Sequence, residues 1–258
     1  GAQAAGDAGQ GARTLTGSAR MRILPRSLRP LWKAPKLDNA LRDRLVKWER
    51  MPRGDLSLAH RGARYVVVDV ETTGLDMRRD APIAIGAVGI DGQAIAFDDA
   101  YEVVLKQAAA SADANILIHG IGGQTQLAGR DPGLAMLEFV EYAGSSPLVA
   151  FRAEFDREVL ARAARKLLGV ELALPFIDLA FLLPALYRGA DCTSLEDWLA
   201  YFGREPIARH DPVADAYETA QLMLIALAAA DAVGMGSAQS LLAMQKAQRW
   251  LQPSEIFK

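Results

Sequence analysis

Cysteine is nearly missing: Cys192 stands alone in 258 residues. No disulfide within the chain can therefore staple the fold, and a reducing compartment, the cytoplasm by default, is the expected setting. No stretch resembles a secretory signal. The most apolar helical stretch, around Leu222 to Ala230, is too short to span a bilayer and stops at Asp231, so a soluble protein with no membrane attachment is expected. Large apolar side chains are almost absent from Gly1 to Arg20, where Gly, Ala, Gln and Ser dominate. Such a segment cannot offset the entropy of ordering and is expected to be disordered. Methionine is absent before Met21, which leaves open whether the first residues are a foreign remnant or follow an upstream start.

What is present is enough for one substantial domain and an appendage, since 51% of the residues are hydrophobic. The net charge of −2 conceals an asymmetry. Residues 12–64 hold 14 Lys and Arg against 4 Asp and Glu, a balance of +10, whereas the chain from Tyr65 onward carries −11. A basic segment on an acidic domain either binds a polyanion such as nucleic acid or docks on its own domain. Both readings stand at this point.

Along the chain, prolines 25, 30 and 35 punctuate basic and apolar residues, so residues 1–36 are expected to be disordered or an extended basic arm. Asp38 is a candidate N-cap for a helix to about Met51, with Leu41, Leu45 and Trp48 on one face, and a linker follows to residue 64. Residues 65–232 are expected to form the main domain. Val66 to Val70 and Ile83 to Ile90 read as strands, with Asp91-Gly92 as the hairpin turn and shorter strands at Ala94 to Phe97 and Tyr101 to Leu105. Helices over Asp131 to Tyr142, Phe155 to Leu168, Leu179 to Tyr187, Ser194 to Phe202 and Pro212 to about Ala230 then alternate with short strands at Leu148 to Phe151 and Phe176-Ile177. The outline is an α/β domain with a mixed central sheet. Residues 233–258 are expected to be a tail with a short helix, Ser240 to Leu251.

One stretch organises the rest. Tyr65-Val66-Val67-Val68-Asp69-Val70-Glu71-Thr72-Thr73-Gly74-Leu75 runs from a β-branched strand into two acids spaced two apart. Alternate strand residues share a face, so both carboxylates point the same way. Side by side they repel and raise one another's pKa, which is costly unless a cation neutralises them. The pair is thus either a divalent-metal site or the solvated end of a strand. Two further segments bear on the choice. Asp156 follows the apolar run Leu148 to Phe151 at the mouth of a helix. His210 precedes a helix start in which Asp211 is the N-cap, Pro212 the first residue and Asp215 lies close behind.

Asp69, Glu71, Asp156, His210 and Asp215, in this order and context, resemble the DnaQ-like group of 3′ to 5′ exonucleases with an Asp-Glu-Asp-Asp-His set, to which the epsilon proofreading subunit of bacterial DNA polymerase III belongs. The likeness covers about Tyr65 to Ala230, and the motif Asp-Val-Glu-Thr-Thr-Gly-Leu is its most specific part. It implies a ribonuclease H-like fold, with a mixed central sheet flanked by helices. It also implies two divalent ions, Mg²⁺ or Mn²⁺, held by Asp69, Glu71, Asp156 and Asp215, with His210 as general base. Glu71 then counts both as ligand and as part of the catalytic set. Clustered carboxylate oxygens suit hard cations, and metals about 4 Å apart can clamp the attacking and leaving oxygens at phosphorus.

The same likeness assigns Thr72, Thr73, Gly74 and Leu75 to the terminal nucleotide, with Leu75 against its base. In the alternative, Gly74 only permits the turn and Leu75 fills core. It places His119, in Ile118-His119-Gly120-Ile121, near the substrate strand. The chain departs from the family where Phe151-Arg152 replaces the frequent His-Asn, so Arg152 is expected to meet a phosphate of the substrate or to pair with an acid when no metal is bound. The expected substrate is the 3′ end of single-stranded nucleic acid, DNA favoured over RNA, with release of nucleoside 5′-monophosphates in proofreading or repair. Alternatives are an RNA-trimming exoribonuclease of the same family and a non-catalytic nucleic-acid or protein-binding module. A polymerase or other protein partner would be met through the basic arm or the tail, although the tail shows no clamp-binding motif.

Overall fold

The computed structural model describes residues 37–205, 207 and 211–251. The arm expected over residues 1–36, His210 and the last seven residues of the tail lie outside the described residues.

Among the described residues, five strands form one sheet in the order β3-β2-β1-β4-β5. β1 (Arg64–Thr72) is central, with β2 (Pro82–Asp91) antiparallel on one side and β4 (Leu148–Ala150) parallel on the other. β3 (Ala94–Val104) pairs antiparallel with β2, and β5 (Phe176–Asp178) parallel with β4. The sheet is mixed, as expected. Two details differ from the sequence reading. The β2–β3 hairpin turns on Gly92 and Gln93, with φ of 57° and 73°, while Asp91 is still paired with Ala94. A two-residue loop with both φ values positive matches the strand twist, which moves the turn one residue past Asp91-Gly92. The two short strands expected after it are one continuous strand, because a register irregularity opposite Val88 to Ile90 absorbs the break in pattern around Asp98-Asp99.

Helices cover both faces. On one side lie α1 (Asn39–Glu49), α4 (Pro132–Ala143) and α5 (Glu154–Leu168), which bury Val66, Val68 and Val70 of β1 together with Met136, Phe139 and Leu160. On the other lie α6 (Leu179–Leu186), α7 (Leu195–Tyr201), α8 (Pro212–Ala232) and α9 (Ala238–Leu251), which bury Tyr65 and Val67 with Trp198, Leu222 and Met223. Two short helices, α2 (Asp113–His119) and α3 (Gly123–Ala128), were not anticipated from the sequence. At seven and six residues they are too short to show a helical repeat. α8 is longer than the apolar stretch suggested: its 21 residues are long and apolar enough to cross a membrane. It packs against β1 and β2 instead, so its apolar character belongs to the sheet's cover.

Part of the basic N-terminal segment docks on the acidic domain. Arg44 of α1 forms a two-pronged pair with Glu141 of α4, and Trp48 donates its indole N–H to the Gly144 carbonyl. Arg64 pairs with Asp99 at 2.8 Å and lies over the Tyr142 ring.

The expected tail helix is α9, and it closes the sheet's β5 edge. The Gln245 side chain accepts the Asp178 N–H at 2.9 Å and donates to the Phe176 carbonyl at 3.4 Å, as a neighbouring strand would. Gln245→Leu leaves these buried groups without a partner and should cost about 1 to 3 kcal/mol of stability, measured by urea unfolding.

Candidate active site

The alternation of β1 sets the site. Tyr65 and Val67 face α8, so Asp69 and Glu71 continue that face toward the strand's C-terminal end. α8 crosses them because Asp69 pairs with Gly86 of β2, and a Cβ on Gly86 would stand 2.2 Å from the carbonyl carbon and oxygen of Pro212. The missing side chain is what lets the first turn of α8 press on the sheet. Asp211 caps that turn by accepting the N–H groups of Val213 and Ala214, with Pro212 at the first position. Asp215 is then delivered one turn in. The outcome is that Asp69, Glu71 and Asp215 each offer a carboxylate oxygen, all within 4.8 Å of one another.

Asp156 joins from the opposite layer, on the first turn of α5, and is only 7% exposed. Its charge acts on Asp69. A second buried acid, Asp178, holds the β4–α5 connection in place: its Oδ1 accepts the N–H groups of Arg152 and Ala180, both at 3.0 Å. Arg152 sits there at φ 58°, a left-handed conformation that a non-glycine residue adopts at a cost.

Electrostatics mark the cluster. Burial pushes the Asp69 carboxyl well above its ordinary range, and the charges of Asp156, Glu71, Asp215 and Asp211 push it further. Glu71 is raised to about 7 by burial, then by Asp215 and Asp211. Asp156 is raised to about 7, mainly by burial and by Asp178 and Glu71, against the lowering effect of its own and Val70's backbone N–H. Like charges about 4 Å apart cost on the order of 4 kcal/mol per pair near a protein surface. A set of hard oxygen donors that repel one another this strongly fits divalent cations, with Asp69, Glu71 and Asp215 as the ligands brought together and Asp156 adjoining.

The remaining expected residues fall as follows. Thr72 donates its hydroxyl to the Gly74 carbonyl at 2.6 Å, and Thr73 donates to Asp80 at 2.8 Å. Leu75 is 89% exposed, so it does not fill core. His119 is 3% exposed at the end of α2; its Nδ1 accepts the Ile121 N–H and its Nε2 meets the Ser111 hydroxyl. It thus shapes the loop wall of a cleft of about 330 Å³ that Glu102, Thr125 and Asp211 also line. The Arg152 guanidinium donates to the Thr193 carbonyl at 3.2 Å and, among the described residues, pairs with no acid. His210 lies outside the described residues. The sequence reading missed Asp178 as an anchor and took Asp211 only as a cap. Asp178 carried a signal, because it directly follows an apolar run just as Asp69 does.

Residues 66–223 match the exonuclease family. The chain belongs to the DnaQ-like exonucleases. It is 33% identical over 163 residues to the PolC-type DNA polymerase III of Thermotoga petrophila, and 34% identical over 161 residues to that of Bacillus subtilis. These alignments cover 63% and 62% of this chain but only 12% and 11% of those proteins. In fold it is similar to Escherichia coli Exonuclease I, solved with a dT13 oligonucleotide, with a TM-score of 0.58 at 18% identity over 67% of this chain and 42% of that one. The Exonuclease I of Methylocaldum szegediense gives a TM-score of 0.55 at 19% identity over 64% and 40%. The ribonuclease H-like fold of these DnaQ-like exonucleases is therefore the fold of this chain.

Two predictions follow from the crowded acids and from Gly86. For a carboxyl raised in the folded state, the folded protein holds more protons than the unfolded chain between the two pKa values, so stability falls as pH rises through that window. Metal-free protein should lose melting temperature from about pH 4 to about pH 7, where Glu71 and Asp156 ionise, and Mg²⁺ should restore it most above pH 7. Calorimetry with and without EDTA measures both. Gly86→Ala should push the start of α8 off the sheet, separate Asp215 from Asp69, and abolish the Mg²⁺-dependent rise in melting temperature.

Proposed function

We propose that this chain is a metal-dependent 3′ to 5′ exonuclease that hydrolyses the terminal phosphodiester of single-stranded nucleic acid, DNA in preference to RNA, and releases nucleoside 5′-monophosphates. The observation that carries the reading is the convergence of Asp69 and Glu71 from β1 with Asp215 from α8 in a half-buried, mutually repelling set. Asp69, Glu71, Asp156 and Asp215 would hold two ions, Mg²⁺ or Mn²⁺. Bound there, the ions supply Lewis acidity at phosphorus and make water a better nucleophile at neutral pH.

The chain's own groups do the rest. His210, beside the Asp211 cap in sequence, takes the proton of the attacking water, a task suited to an imidazole with a pKa near neutrality. The turn Thr72 to Leu75 receives the terminal nucleotide, and the outward Leu75 side chain lies against its base. His119 borders the path of the strand through the cleft it lines. Arg152, whose guanidinium donates to the Thr193 carbonyl in the α6–α7 connection, meets a substrate phosphate in this reading. Support for DNA comes from the PolC-type relatives and from the oligonucleotide complexes of Exonuclease I. A cytoplasmic role in proofreading or repair, with a polymerase or other protein partner held by the N-terminal arm or by the segment after α9, is part of the same reading.

Release of mononucleotides from 3′-labelled single-stranded DNA and from matched RNA, in Mg²⁺ and in Mn²⁺, tests it. Asp69→Ala and His210→Ala should each lower the rate by more than ~100-fold, beyond what loss of an outer-shell partner usually costs. Equal rates on RNA would remove the DNA preference. No release by the unaltered protein would leave a binding module.

A further inference from the structure

The turn that receives the terminal nucleotide in the reading above has almost no apolar anchorage. Leu75 points into solvent at 89% exposure and Asp76 to Arg79 are exposed. A turn without core contacts keeps one shape only if its polar groups are bound, and here the bonds converge on one carboxylate. Asp80 Oδ1 accepts the Thr73 hydroxyl at 2.8 Å, and Asp80 Oδ2 accepts the Asp76 N–H at 2.7 Å. The same Thr73 oxygen accepts the Ala81 N–H at 3.0 Å, so donor and acceptor capacity of that hydroxyl are both used. The Asp80 N–H returns to the Asp76 carbonyl at 2.8 Å.

Outside the turn, Arg162 of α5 donates to the Asp80 carbonyl, and Asn115 of α2 donates to the Thr73 carbonyl. The turn is therefore tied to both neighbouring elements. Gly74 belongs to the same arrangement: a Cβ there would lie 2.6 Å from Asp80 Oδ2, so the carboxylate occupies the space that any larger residue needs.

We propose that Asp80 is a positioning residue for the terminal nucleotide. It holds Thr73, Gly74 and Asp76 in the one conformation that presents the Gly74 backbone and the Leu75 side chain to the substrate, without touching the metal ligands. The inference rests on the assignment of the turn to the terminal nucleotide. Preorganisation of this kind is felt in substrate binding, because a loose turn must be ordered each time a strand end arrives. Asp80 and Thr73 share one bond, while each also holds one N–H of its own, so their effects should be less than additive.

The test compares the unaltered protein with Asp80→Ala, Thr73→Val, the double variant and Asp80→Asn. KM and kcat are read on 3′-labelled single-stranded DNA, together with the Mg²⁺ midpoint of activity and the affinity for thymidine 5′-monophosphate by titration. KM should rise about tenfold in each single variant and by clearly less than the product of the two in the double, with kcat changed less than about twofold and the Mg²⁺ midpoint unmoved. Asp80→Asn, which keeps one acceptor oxygen, should recover part of the loss. Unchanged KM, multiplying effects in the double variant, or a Mg²⁺ midpoint that moves with KM would overturn the positioning role. If the unaltered protein releases no nucleotide, the exonuclease reading fails on its own, and the thymidine 5′-monophosphate titration still decides: weaker binding by Asp80→Ala supports the role, while equal affinity or no binding by either protein overturns it.

Discussion

Mutual repulsion among carboxylates gathered half-buried at one end of the sheet is the constraint on which this structure turns. Asp69, Glu71, Asp156 and Asp215 are drawn to one end of the sheet although burial and like charge raise the affinity of Asp69, Glu71 and Asp156 for protons. No chain gathers such groups for stability, since each removed charge would relieve the others. The cost is accepted only because the surrounding packing over-determines the arrangement. β1 is buried on both faces between two helical layers, which fixes where its side chains point. α8 is held on the sheet by the apolar contacts of Leu222, Met223 and Ala226. The acids are passengers on elements whose positions are settled elsewhere.

The close approach of α8 illustrates how a small absence decides a site. Asp69 and Gly86 are direct cross-strand neighbours, and only a residue without a side chain leaves room for Pro212 above them. A glycine in a strand interior normally weakens it. Here it converts a helix resting on a sheet into a helix whose first turn reaches the carboxylates. Glu218, at 3% exposure, accepts the Ile207 N–H and so ties that residue to α8.

Much of this was legible in the sequence, for identifiable reasons. The β1 run, the Asp211-Pro212 helix start and the acids at strand and helix ends carry strong local signals, and those elements appear within a few residues of where they were read. What was not legible depended on contacts distant in sequence. Gln245 reads as a polar residue on a helix; only the fold places its amide against the edge of β5, 67 residues away. Asp80 drew no notice in the sequence, yet its carboxylate occupies the space beside Gly74 across the turn. α2 and α3 are too short to show a periodicity, so a loop was expected where His119 is in fact buried. β3 was split in the reading because Asp98-Asp99 breaks its apolar alternation, although Asp99 is bound to Arg64.

Asp178 links α9 to the site in a way that neither sequence motif nor metal geometry reveals. Its carboxylate accepts from Arg152 and Ala180, its N–H is held by Gln245, and Arg249 of α9 lies 3.6 Å from its second oxygen. Burial raises its pKa, and the N–H donors and Arg249 work against that rise. The left-handed Arg152 leads directly into the helix that carries Asp156, so the conformation at that point determines where Asp156 sits. Without the Asp178 bond, a non-glycine residue at φ 58° would relax toward an ordinary conformation and the start of α5 would shift with it. The C-terminal helix therefore supports the acid cluster through one buried carboxylate, and the strained connection between β4 and α5 persists because that carboxylate is itself held from both sides.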